Sequence, residues 1–132
     1  MKLIRIEWQD LLCVPYLVDG DDPEIGLDCW GIAREVARRA MITFPFVGPR
    51  PSEEAVLRAS CFQKVMRCDE VGDILASDPT KRGFVSHVSA VVDVERGLAL
   101  STSPRIGPYC WPIHRVGHEF GVWRMNQTVA TG

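Results

Sequence analysis

Hydrophobic and polar positions follow two different periods along this chain, and the period changes near its middle. Between residues 28 and 42, Cys29, Ile32, Ala33, Val36, Ala37 and Ala40 recur at helical spacing, and Arg34, Glu35, Arg38 and Arg39 take the other face. A single apolar stripe of this kind predicts a helix with one buried face. Asp28 stands immediately before it, where an N-cap belongs. Upstream, "RIEWQDLLC" predicts a short helix with Ile6, Leu11 and Leu12 inward, ended by Pro15. The segment "LVDGDDPEIG" reads as an acidic, glycine-bounded loop. After the proline-rich "FPFVGPRPS", Ser52 can cap a second helix through "EEAVLRASCFQKV".

Beyond residue 70 the pattern becomes β-branched and short. "VGDILAS" at 71–77 and "FVSHVSAVVDV" at 84–94 predict strands. After the turn "ERG", "LALSTS" at 98–103 returns antiparallel, and 112–116 and 119–125 are further strand candidates. Helices first and strands afterwards predict an α+β fold, with N-terminal helices packed on an antiparallel β-sheet.

Composition narrows the function classes. The chain of 132 residues suggests one domain spanning 1–132, with 46% hydrophobic and 24% charged residues. A net charge of −2 gives no basic field for nucleic acid or anionic lipid. No apolar run reaches the roughly 18 residues of a spanning helix, so membrane insertion is not expected. "MKLIRIEWQD" is broken by Arg5 and Glu7 and makes a poor signal peptide. Five cysteines without a C-x-x-C pair point to reduced thiols in a cytoplasm rather than a disulfide framework.

Candidate chemistry centres on Cys29. A helix N-terminus offers unpaired N–H groups and partial positive charge, and both favour a thiolate. The competing reading is a buried core cysteine, a common fate for this residue. A nucleophilic thiol needs a base, and the chain has only His87, His114 and His118. His87 lies within a predicted strand between apolar neighbours. A helix-start cysteine with a strand histidine describes a papain-like thiol site.

"PYLVDGDDPEIGLDCWGIAREVARRA" closely resembles the nucleophile motif of the NlpC/P60 cysteine peptidases. "VGDILAS", "SHVSAVVD" and "FGVWRM" resemble the Gly-Asp strand, the histidine strand and the closing strand of that family. The resemblance implies a papain-like NlpC/P60 fold and hydrolysis of amide bonds in peptidoglycan stem peptides, without a cofactor. It makes Cys29 the nucleophile and His87 the base. Tyr16 would line the nucleophile pocket and Asp28 would help hold the substrate's amine end. Trp30 is a candidate cleft wall, with plain packing as the competing reading. The Asp-Cys-Trp-Gly form in a short chain without a leader looks most like members encoded with phage tails. That implies a virion-tail component made in the host cytoplasm, with other tail-tip proteins as partners. A structural tail-tip subunit with weak or no activity is the alternative.

The family's third catalytic residue falls here at Leu100, which cannot orient an imidazole. Ser101 points to the opposite face from Leu100 in a regular strand and would need a bulge to turn inward. His114 is therefore expected to orient His87. Cys110, His114 and His118 are spaced for a zinc face on a helix, but Pro112 and Gly117 argue against a helix there, so no metal is expected.

Overall fold

The computed structural model describes residues 4–42, 62–83 and 85–125. Its elements are a 3₁₀ turn at Gln9–Cys13, a two-strand ribbon of β1 (Asp21–Asp22) and β2 (Gly26–Leu27), and helix α1 (Cys29–Arg39). Strands β3 (Phe62–Val65), β4 (Ile74–Ser77), β5 (His87–Asp93), β6 (Leu98–Ser103), β7 (Gly107–Pro112) and β8 (Val122–Met125) follow. A second 3₁₀ turn, Ile113–Arg115, separates β7 from β8. No helix among the described residues is long and apolar enough to cross a membrane.

The six longer strands form one sheet in the order β3-β8-β4-β5-β6-β7, antiparallel at every pairing. The apolar stripe does what its period predicts. Ile32, Ala33, Val36 and Ala37 are buried and share one core with Val88, Ala90, Val92 and Leu100. A smaller core of Leu75, Val91, Ala99 and Val116 is the other cluster. Alternation along β5 and β6 assigns the two clusters to opposite faces.

Ion pairs anchor the helix on its outer side. Glu35, 5% exposed, is held by Arg38 and Arg39. Arg39 also reaches Asp10, at 2.6 and 2.9 Å, and the Glu7 carbonyl at 2.9 Å. These bonds tie the N-terminal segment to α1.

Several boundaries differ from the sequence expectation. The first helix is only a 3₁₀ turn. The segment expected to finish a second helix is in part β3, paired with β8 from Phe62↔Met125 to Val65↔Val122. The rest of that expected helix lies outside the described residues, as does Cys61. The strand expected at 112–116 is displaced upstream to β7, and Ile113–Arg115 is the 3₁₀ turn.

Candidate active site

α1 starts at Cys29 because Asp28 stops the chain just before it. Asp28 Oδ1 accepts from the Gly31 N–H at 2.8 Å, and its carbonyl accepts from the Ile32 N–H at 2.9 Å. The second carboxylate oxygen accepts from the Asp19 N–H at 3.1 Å. Asp28 is 4% exposed and clamps the acidic loop onto the helix start. It is thus an N-cap first, rather than an open anion facing a substrate.

The loop approaches closely because Gly31 lacks a side chain. A Cβ there would lie 2.1 Å from the Gly20 carbonyl oxygen. Tyr16 sits alongside the same segment. It bridges Leu27 in parallel, with Leu17 N–H donating to Leu27 O at 3.2 Å and Leu27 N–H to Pro15 O at 3.0 Å. The structure therefore places Tyr16 beside the two residues that lead into Cys29. Trp30 is 1% exposed and belongs to the main core. An indole without reachable surface cannot wall an open cleft, so the packing reading of Trp30 replaces the cleft-wall one.

His87 is the first residue of β5, and its register defines its surroundings. Ala90 pairs with Leu100, and both belong to the core beneath α1. His87 is three residues from Ala90 and Ser101 is one from Leu100, so both point to the other face. Ser101 pairs with Tyr109 on β7. The three side chains meet at one atom. His87 Nε2 lies 2.8 Å from the Tyr109 hydroxyl and 3.0 Å from Ser101 Oγ. The His87 and Tyr109 rings are nearly parallel, 11° apart with centroids at 6.3 Å. Ser101 Oγ also donates to the Val88 carbonyl at 2.7 Å.

Cys29 is half-buried and close enough that its charge raises the pKa of the Tyr109 phenol. Burial is the larger cause of that upward shift; hydrogen bonds with Ser101 and Ser89 oppose it. Burial also depresses the His87 imidazole below its ordinary value, because charging it there loses solvation.

His114 does not join this group. It is exposed in the 3₁₀ turn after β7. Asp93 pairs with Leu98, and Leu98 with Pro112, so His114 lies near the end of the sheet where β5 finishes. His87 lies at the start of β5, roughly 20 Å away at about 3.3 Å per residue. The expectation that His114 orients His87 is corrected on that ground. A bulge does turn Ser101 inward: Asp93 pairs with Leu98 but Val91 with Ala99, and the extra residue in β5 puts Ser101 rather than Leu100 on the face of His87. The sequence reading missed Tyr109, whose only signal was its alternation with Trp111 around Cys110.

The arrangement is a half-buried thiol at a capped helix start, coupled electrostatically to a phenol that anchors an imidazole through one nitrogen, on an α+β scaffold. Comparison with protein-family models gives no match, and comparison with curated proteins gives none either. Among solved structures, the chain is similar to the crystal structure of the NlpC/p60 domain of peptidoglycan hydrolase SagA. The TM-score is 0.58 and the identity 20%, over 89% of this chain and 90% of that one. The chain has the papain-like NlpC/P60 fold.

Proposed function

We propose that this protein is a cysteine peptidase or amidase that hydrolyses amide bonds in peptidoglycan stem peptides, with Cys29 as nucleophile and His87 as base. The observation that carries this reading is that Cys29, at the capped start of α1, acts electrostatically on the Tyr109 phenol whose oxygen lies 2.8 Å from His87 Nε2. The fold shared with a domain of a peptidoglycan hydrolase supports the choice of substrate.

With Nε2 engaged by hydroxyls, Nδ1 is the ring nitrogen that takes the thiol proton. The sulfur then attacks the amide carbonyl carbon, and a C–S bond forms. The carbonyl electron pair moves to oxygen, where N–H groups of the first turn of α1 meet the charge. Collapse of that intermediate breaks the C–N bond, and the imidazolium returns the proton to the departing amine. Water then attacks the thioester, its proton passes to His87 and on to sulfur, and the acid is released. The test is release of new amine ends from purified peptidoglycan fragments. Wild type should release them, and Cys29→Ala and His87→Gln should not. Equal release by Cys29→Ala, or none by wild type, would refute the reading.

The setting we propose is a phage tail tip, where the protein assists passage through the wall. The Asp-Cys-Trp-Gly motif supports it. Expression inside a bacterium should lyse cells poorly, and artificial export should lyse them better. A structural subunit of that tip is the second reading. It is favoured by the lack of any carboxylate among the hydrogen-bond partners of the His87 ring in the described residues. Export without lysis, with Cys29→Ala behaving as wild type, would select it.

A further inference from the structure

We propose that Ser101 and Tyr109 are the positioning residues of His87, and that the bond from Ser101 to the Val88 carbonyl selects the imidazole tautomer. The inference rests on the thiol–imidazole reading above. It follows from counting protons. A serine hydroxyl has one hydrogen, and a carbonyl oxygen only accepts. Ser101 Oγ is 2.7 Å from the Val88 carbonyl, so its hydrogen lies there. Toward His87 Nε2, 3.0 Å away, Ser101 therefore presents a lone pair. That contact is a hydrogen bond only if Nε2 carries the hydrogen.

Tyr109 completes the arrangement. Its oxygen is 2.8 Å from the same Nε2. Given an N–H at Nε2, the phenol oxygen accepts from it, and the phenol's own hydrogen turns away from the imidazole. One N–H is thus shared between two acceptors, and Nδ1 keeps its lone pair for the thiol proton. Ser101 is 0% exposed, so water does not compete for its bond to the Val88 carbonyl. The near-parallel rings of His87 and Tyr109 fix the plane of the imidazole.

The two hydroxyls have different weight. Tyr109→Phe removes one acceptor but keeps the ring, and Ser101 still requires Nε2–H. Ser101→Ala removes the group whose hydrogen is fixed elsewhere. Tyr109 can then donate to Nε2 and move the imidazole hydrogen to Nδ1, where the base is blocked. The experiment is nitrogen-15 NMR of imidazole-labelled full-length protein at neutral pH, with the His87 signals assigned by their loss in His87→Gln.

Wild type should show protonated Nε2 and unprotonated Nδ1. Ser101→Ala should show a mixture of tautomers, Tyr109→Phe little change, and Ser101→Cys an intermediate, since sulfur is a weak acceptor. Hydrolysis by Ser101→Ala should fall in kcat by roughly 10²-fold with KM little changed, the scale of impaired general-base function. Wild type with hydrogen at Nδ1 would overturn the proposal, as would an unchanged tautomer in both serine variants. The NMR result needs no substrate. The expected spectra without any hydrolysis would therefore sink the peptidase reading and leave this one standing.

Discussion

Gly31→Ala separates helix propensity from tertiary packing at the start of α1. In the interior of a helix, alanine is favoured over glycine by about 1 kcal/mol, so propensity alone predicts a more stable protein. The structure predicts the opposite sign. The added Cβ would lie 2.1 Å from the Gly20 carbonyl oxygen and 3.0 Å from a Leu27 methyl carbon. The first partner is backbone and cannot rotate away. The loop must retreat by roughly 1 Å to reach an ordinary contact, and overpacking of this kind costs about 1–3 kcal/mol. The same carbonyl accepts the Asp28 N–H at 3.3 Å, so its retreat also loosens the cap in front of Cys29. The net expectation is a loss of about 2 kcal/mol, or roughly 8 °C in Tm for a domain of this size. Denaturant unfolding followed by fluorescence gives the midpoint at constant m. On the proposed function, hydrolysis of peptidoglycan fragments should fall further than stability explains, since a 1 Å misplacement near the chemistry can cost about 10²-fold. A midpoint that stays or rises in Gly31→Ala would refute the close-approach argument.

Brief iodoacetamide labelling at neutral pH, followed by peptide mapping, should modify Cys29 first and exposed Cys13 next among the described cysteines. Cys68 should lag, because burial and then the charges of Asp73 and Asp69 push its thiol up to about 11; Cys110, raised by burial and then Asp93, should lag with it. Cys13 outpacing Cys29 would count against an activated thiol. Arg124→Ala should lower stability by about 3 kcal/mol, because it leaves the 1% exposed Asp73 carboxylate without its two-pronged partner at 2.8 and 2.7 Å; Asp69→Ala, on the exposed side of the same cluster, should cost under about 1 kcal/mol. Since His87 must be neutral to act and burial lowers its pKa, the acid limb of kcat/KM should have its midpoint below about 6.5. The same shift stabilises the fold above the unfolded value and is lost as pH falls through the folded one, so His87→Gln should flatten part of the acid decline in Tm.

The helix was legible because its stripe, its cap and its tertiary environment agree; Cys29 and Asp28 fall where the pattern alone puts them. Leu98–Ser103 was legible for the same reason, as a β-branched and small-residue run between two turn signals. β3 was not. Phe62–Val65 continues a plausible helical pattern, and only its pairing with β8 makes it a strand. β7 was hidden by Gly107, Pro108 and Pro112, which read as turn signals. A strand at the edge of a sheet tolerates them, because one side of its backbone needs no partner. Missing β7 meant missing Tyr109, and the search for an orienting group then settled on a distant histidine. That Cys29 opens a helix and His87 lies in a strand could be read locally. The groups behind the imidazole come from a strand register, which no short window contains.

The groups that hold the rear of His87 carry no formal charge. An imidazole steered by a carboxylate depends on an ion pair, and ions in solution screen such pairs to the extent that they are exposed. Here the anchoring atoms are a serine hydroxyl, a phenol and a backbone carbonyl. Their hold on the ring is indifferent to ionic strength. The sensitivity of this site to salt is therefore confined to what reaches it through the acidic loop, Asp19 to Glu24, clamped to the helix start at Asp28. The surrounding medium can alter how a charged substrate arrives, while the geometry that awaits it stays the same.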